Sequence, residues 1–362
     1  MKEEPKTFMM AGGGTGGHVI PAIAVARELR DRGHRPIFAG TSTGFEAKLV
    51  PQAGFEIATL EIGGLNRVGV VRMLRTLVQL PVSVANAAGL LRRYRPAAIF
   101  SMGGYVAGPL VLAAIAGGFP IVAMEPNAMP GLVNRRIGRF VSRALLGFPE
   151  TARWFAKGRT EVTGLPVRPE FFAVPPKPRE RTLTVLITGG SQGSRTLNEA
   201  ARAAWPLISH SESPVRFIHQ TGAAKYESLA GEFAAAGVDG EITPFIQDMA
   251  AVFARVDLVV CRAGAGAIAE LAAAGKPSIL VPLPFAADDH QRHNAQAFER
   301  AGAARLVLDK EMTGQRLVDE IQKLAAAPGL LEEMGRHARS LAHPGAALRA
   351  ADVLEEVARG RV

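Results

Sequence analysis

Two glycine-rich turns carry the residue types and spacing on which chemistry can be built. GGGTGGH, residues 12–18, follows a short apolar run and leads into IAVARELRDRG, and GGSQGS, residues 189–194, follows TLTVLIT. Glycine lets backbone N–H groups come close to an anion, and a helix starting just beyond such a turn adds the positive end of its dipole. Both turns therefore read as phosphate-binding. Gly12, Gly14 and Gly17 satisfy G-x-G-x-x-G, but a dinucleotide site also wants an acid at the end of the second strand, and RPIFAGTSTG has none. A P-loop fails too, because His18 and Val19 stand where Lys and Ser/Thr are required. His18 brings an imidazole, whose ordinary pKa suits proton transfer near neutral pH.

The elements that must position these turns follow from punctuation. At 362 residues with 48% hydrophobic residues, the chain is long and apolar enough for two domains with real cores. TFMMAGGG is strand and turn, PAIAVARELRDRG is helix, and RPIFAG, AAIFSMGGY and PIVAMEPN continue as strands and loops of a doubly wound domain. Residues 97–124 carry no charge, yet two Gly-Gly pairs with Pro109 and Pro120 divide them into strand, turn, helix and strand rather than a membrane span. LPVRPEFFAVPPKPRER, residues 165–181, reads as a stiff proline-rich connection. Beyond it the pattern restarts with TLTVLITGGSQGSRTLNEAARAAW, VRFIHQTG, DLVVCRAGAGAIAELAAAG and KPSILVPLP.

Charge separates the halves. Residues 1–165 hold 20 Lys/Arg against 10 Asp/Glu, whereas residues 166–362 hold 22 against 23. Ile62 to Met124 contains no acid, so the basic excess reads as a surface for something anionic. With 6% aromatic residues and no nucleic-acid-binding signature, nucleic acid is set aside in favour of an anionic membrane face. VGVVRMLRTLVQL, residues 68–80, places Arg72 and Arg75 near Leu74 and Leu77 on a short helix of the type that lies in a bilayer interface. The same pattern suits a core-facing helix with a solvated basic edge, and both readings stand. The lone Cys261 and the start MKEEPKTF, which has no apolar signal region, point to a reducing cytoplasm.

GGGTGGHVIP, SMGGYVAGP, the MEPN segment, TGLPVRPEF, TGGSQGSRTLN, PFIQDMA, CRAGAGAIAEL and DDHQRHNA occur in the order and spacing of the MurG family. From about residue 9 onward the chain resembles these bacterial glycosyltransferases, which add N-acetylglucosamine (GlcNAc) to the lipid-linked muramyl-pentapeptide precursor of peptidoglycan. The resemblance implies an α/β GT-B fold, two Rossmann-like doubly wound parallel-sheet domains facing a cleft. Residues 1–165 would form the acceptor and membrane-facing domain, 166–181 the hinge and 182–343 the UDP-GlcNAc domain, with a helix in 344–362 packing back on the first domain.

It also implies roles for particular residues. Ser191 and Arg168 would hold the donor diphosphate, Ile246 would border the uracil, and Ala263, Gly264, Ala265, Gly266, Ala267 and Ile268 would form the loop around the nucleotide. Glu270 would accept hydrogen bonds from both ribose hydroxyls, and Gln291, with Asn294 near it, would contact GlcNAc hydroxyls. On the first domain Gly14, Thr15, Gly16, Gly17 and His18, with Gly103, Gly104 and Tyr105, would face the lipid diphosphate or the reacting sugar. Asn127 would lie near the donor sugar, and Glu125 would orient the acceptor. Met124 and Pro126 depart from the family's usual His-Glu-Gln-Asn, so no role of that histidine transfers.

The implied reaction is a single inverting displacement, the C4 hydroxyl of N-acetylmuramic acid attacking GlcNAc C1 as UDP leaves, which converts lipid I to lipid II. His18 is either the general base or a hydrogen-bond donor to phosphate. No metal and no cofactor is expected, since His290 and His293 have no third ligand and Asp288 and Asp289 are adjacent. Expected partners are UDP-GlcNAc, lipid I, anionic inner-membrane lipids on the cytoplasmic face, and proteins of cell-wall synthesis. Transfer to another lipid such as diacylglycerol, or an epimerase acting on UDP-GlcNAc, are the alternatives.

Overall fold

The structure is a computed structural model that describes residues 4–14, 16–60, 70–178, 180–208 and 214–360, excluding the side chains of 70–79, Tyr105 and Ala287. The chain forms two compact units, Met1–Val167 with Gly345–Val362, and Arg168–Pro344.

The first unit alternates strand and helix. In chain order its elements are β1 (Thr7–Ala11), α1 (Gly16–Asp31), β2 (Arg35–Gly40), α2 (Phe45–Gln52), β3 (Glu56–Thr59), α3 (Val70–Tyr94), β4 (Ala98–Ser101) and α4 (Gly104–Ala116). There follow β5 (Ile121–Glu125), α5 (Leu132–Ile137), β6 (Arg143–Leu146) and β7 (Thr160–Val162). All strands are parallel, in the order β3-β2-β1-β4-β5-β6-β7. Interior strands such as β1 and β4 are apolar along nearly their whole length because helices cover both faces of the sheet. The sequence order reverses between β1 and β4, so the turn after each strand opens at the same switch point, where ligands of such sheets bind.

The second unit repeats the scheme. Its elements are α6 (Pro169–Phe172), β8 (Leu183–Thr188), α7 (Arg195–Ile208), β9 (Val215–Gln220), α8 (Ala223–Ala235), β10 (Gly240–Thr243), α9 (Met249–Arg255) and β11 (Leu258–Cys261). Then come α10 (Ala265–Ala274), β12 (Ser278–Leu280), α11 (His290–Arg300), β13 (Ala304–Leu306), α12 (Gly314–Ala325) and α13 (Pro328–Ser340). The parallel order is β10-β9-β8-β11-β12-β13, with the switch between β8 and β11. Its core packs Trp205 edge-on against Phe233, with Phe217 and Ile279 fully buried beside them.

The last helix, α14 (Ala346–Ala358), belongs to the first unit. It buries Ala350, Ala351, Val353 and Leu354, and it is pinned by ion pairs from Arg349 to Glu161 at 2.6 Å and from Arg32 to Asp352 at 2.7 Å.

Three sequence expectations need correction. Segment 166–181 is not a bare connection: Phe171 on α6 is fully buried edge-on against Phe253, and Lys177 pairs with Asp257 at 2.9 Å, because its aromatic and charged residues find partners in the second unit. The helix expected over 68–80 runs on through Pro81 to Tyr94, while the side chains of Arg72, Leu74, Arg75 and Leu77 lie outside the described set. The helix after the first glycine turn starts at Gly16 rather than Pro21, which places His18 in its first turn.

Candidate functional site

At the first unit's switch point a buried carboxylate shapes the opening glycine turn. Glu46, 1% exposed, accepts hydrogen bonds from the Gly14 N–H at 2.9 Å, the Thr41 N–H at 2.9 Å and the Thr41 hydroxyl at 2.7 Å. Burial by itself raises its pKa, but these donors outweigh burial and hold it below the ordinary carboxylate range. The turn is thus tethered from behind to the loop after β2.

His18 lies with its Nδ1 3.4 Å from the Gly13 carbonyl. A carbonyl only accepts, so the tautomer that satisfies this contact carries its proton on Nδ1 and makes Nε2 the acceptor. The ring sits under the turn after β4: a Cβ on Gly104 would stand 3.1 Å from His18 Nδ1, and the φ of +77° at Gly104 is one that favours glycine. Gly13 of the first turn and Gly104 of the turn after β4 therefore meet at one imidazole. Thr15 and the side chain of Tyr105 lie outside the described residues.

Glu125 organises the loop that follows it. It ends β5 at 2% exposure, one oxygen accepting from the Asn127 N–H and side-chain amide, the other from the Gly131 N–H and Asn134 Nδ2. Burial pushes its pKa up to about 7, against the pull of those donors. The loop that follows turns back on the strand end and needs an acceptor for its N–H groups, and Glu125 supplies it and so positions Asn127. Asn134 donates to both Met124 O and Glu125 and lies directly under Gly103, joining this loop to the turn after β4.

In the second unit, the turn Gly189–Ser194 leaves Ser191 exposed at the switch point. Gly193, at φ +72°, abuts the Thr221 carbonyl so closely that a Cβ there would stand 1.9 Å from it. Gln220, at the end of β9, donates to the Gly190 carbonyl at 2.8 Å and accepts from the Ile246 N–H at 2.8 Å. One buried amide thus ties the diphosphate candidate Ser191 to the uracil candidate Ile246. Beneath it Asn198 donates to the Thr221 carbonyl and meets His219 Nε2 at 3.0 Å. Burial pushes the His219 pKa down to about 4, so this histidine is a neutral strut.

The turn after β11 presents Gly264 and Gly266 to open space, and α10 begins between them. Ala263 and Ile268 turn their side chains inward and are buried, leaving backbone as what this loop offers a ligand. Asn294, fully buried on α11, donates to the Ala263 carbonyl at 3.1 Å and so braces the turn after β11. Gln291 accepts from the Leu283 N–H at 2.9 Å and keeps its side-chain amide nitrogen for other contacts.

Glu270 stands in the second turn of α10, half-buried, and burial pushes its carboxyl up to about 7, with Arg168 pulling the other way. The Arg168 guanidinium lies 5.0 Å from the Phe171 ring centre. The residues missed from sequence, Glu46, Gln220, Asn134 and Asn198, share one signal: polar side chains at the ends of apolar strands or in the helices just beyond them.

A model of the glycosyltransferase family 28 N-terminal domain matches residues 8–146, and one of the family 28 C-terminal domain matches residues 184–354. A relative from Solibacter usitatus, named a UDP-N-acetylglucosamine--N-acetylmuramyl-(pentapeptide) pyrophosphoryl-undecaprenol N-acetylglucosamine transferase, is 61% identical over 98% of this chain and 96% of its own. A relative of the same name from Syntrophus aciditrophicus is 41% identical, over 92% and 93%. Among solved structures, MurG of Acinetobacter baumannii is similar with a TM-score of 0.83 at 32% identity, covering 97% of this chain and all of that one.

Proposed function

Because the chain belongs to glycosyltransferase family 28, and within it to the MurG transferases, we infer that it moves GlcNAc from UDP-GlcNAc to lipid I, N-acetylmuramyl-(pentapeptide) pyrophosphoryl-undecaprenol, and so forms lipid II. The observation that carries this is 61% identity along nearly the whole of both chains to a transferase of that name. Incubation with labelled UDP-GlcNAc and a lipid I analogue should yield the labelled disaccharide lipid; release of free GlcNAc alone, or transfer to diacylglycerol instead, would overturn it.

The acceptor C4 hydroxyl attacks GlcNAc C1 as the bond to the UDP oxygen breaks, with inversion. His18 takes the hydroxyl proton on Nε2, a role supported by the Gly13 carbonyl beside Nδ1. Negative charge grows on the leaving diphosphate. The N–H groups of the 189–194 turn, the Ser191 hydroxyl, the amino end of α10 and Arg168 oppose it, so the reaction needs no obligatory metal.

Glu270 accepts the two ribose hydroxyls as a carboxylate. Its raised pKa means that the donor-binding form is lost below about 7 and gained above it. UDP-GlcNAc affinity should therefore rise about tenfold between pH 6 and pH 8. In Glu270→Gln calorimetry should find a flat profile, and in Glu270→Ala the UDP-GlcNAc KM should rise severalfold. A wild-type affinity that does not change with pH removes Glu270 from the ribose site.

Anionic lipids meet the first unit on its basic surface, which extends beyond the acid-free stretch. On α5 and just beyond it, Leu132 is 58% exposed and Phe140 47%, beside exposed Arg136 and Arg139, which supports a mixed apolar and basic face. Among the described residues no helix is long and apolar enough to cross a membrane. An Arg72/Arg75→Glu variant is expected to lose most of its partitioning onto anionic vesicles at low salt, and equal partitioning would place the membrane face elsewhere.

A further inference from the structure

The second unit holds a cavity of about 910 Å³ at the amino ends of its strands, away from the glycine turns at their carboxyl ends. Leu183, Pro214, Val256, Pro277, Pro328 and Leu331 give it apolar walls. Its polar lining is unbalanced. Asp257 and Glu180 are both engaged by Lys177, at 2.9 and 3.1 Å. Lys276, 4% exposed, donates to the Val256 carbonyl at 2.8 Å, and Arg339 donates to the carbonyls of Phe172, Ala273 and Val174. Among the described residues neither cation has a carboxylate within ion-pair distance. Arg181 and Arg336 line the same space and are exposed, as is the remaining acid, Glu332.

We propose that this cavity binds a small organic anion, a phosphate or carboxylate on an apolar body, recognised by Lys276, Arg336 and Arg339. A buried ammonium and a half-buried guanidinium bonded only to carbonyls are costly, and an anion between them lowers that cost. Pro328 opens α13 at the cavity wall, which adds the positive end of a 13-residue helix. Burial lowers the Lys276 pKa to about 8, with Asp257 opposing and Lys177 and Arg339 reinforcing the shift. A fraction of its amine is therefore neutral and nucleophilic near that pH.

That amine allows the site to be read directly with pyridoxal phosphate, an anion on an apolar ring that carries an aldehyde. At pH 8 the neutral Lys276 nitrogen attacks the aldehyde carbon, the carbonyl oxygen leaves as water, and borohydride delivers a hydride to the resulting imine carbon. Peptide mass spectrometry should find the Lys276 peptide labelled at least tenfold faster than those of exposed Lys225 and Lys310. Excess phenyl phosphate or benzoate should slow that labelling, and whichever competes better identifies the anion as phosphate or carboxylate. Arg336→Glu, an exposed change, should lower the Lys276 rate severalfold and leave Lys225 unaltered. Labelling of Lys276 no faster than Lys225, indifference to both competitors, or an unchanged rate in Arg336→Glu would each overturn the proposal.

Discussion

His18→Ala is expected to lower kcat for transfer to a lipid I analogue by about 10²–10⁴-fold, the usual contribution of a positioned general base. The KM for UDP-GlcNAc should move little, because the donor is assigned to the second unit. The alternative, a ring that only props the turn, predicts a different pattern. Asparagine at position 18 keeps a side-chain N–H for the Gly13 carbonyl but has no basic nitrogen. His18→Asn should therefore be as inactive as His18→Ala while melting at the wild-type temperature. Near-wild-type turnover in His18→Asn would reduce His18 to a structural residue.

The second large effect falls on a residue with no direct part in the chemistry. In Glu46→Ala the Gly14 N–H, the Thr41 N–H and the Thr41 hydroxyl lose their acceptor in a place water scarcely reaches. Each buried donor left unsatisfied costs about 1–3 kcal/mol, so the first unit should lose about 3 kcal/mol or more. Its thermal midpoint should fall by roughly 6 °C or more. Glu46→Gln, which keeps one oxygen, should lose less, and the opening turn should exchange its amide protons faster in both. Because the Glu46 pKa is depressed on folding, its stabilisation is present above the ordinary carboxylate range and fades as pH falls through the lower folded value. The gap between wild type and Glu46→Ala should accordingly narrow in acid. A gap that stays constant to pH 3 would show that the carboxylate is not what holds the turn.

Much of the architecture can be read from short apolar runs closed by glycine. TFMMA, AIFS and IVAME are the strands β1, β4 and β5, because a strand buried on both faces has no alternation to obscure it. The short strands TEV and ARL carry polar residues and are held by neighbours rather than by their own pattern, so nothing local marks them. The glycine turns could be read because a positive φ or a close backbone approach selects the residue type itself, whereas Glu270 was reached only through the family resemblance. Glu46 was reached by neither route. It sits 32 positions from Gly14, and only the packing of α2 beneath the turn reveals its use. Nor do Asn294 and Glu125 announce from sequence the hydrogen bonds they make to backbone: Asn294 donates to the Ala263 carbonyl, and Glu125 accepts from the N–H groups of Asn127 and Gly131.

The helix α14 has a consequence for how the molecule is made. It leaves the ribosome after the whole of the second unit, yet Val353 and Leu354 belong to the core of the first, whose strands were made before that unit. Residues 168–344 emerge in between and are contiguous, so the second unit is free to fold while the nascent first unit still lacks one wall. Until synthesis reaches residue 357, the apolar surface that Val353, Leu354 and Val357 will cover stays uncovered. Chaperones therefore have a window on the first unit that lasts through synthesis of the second.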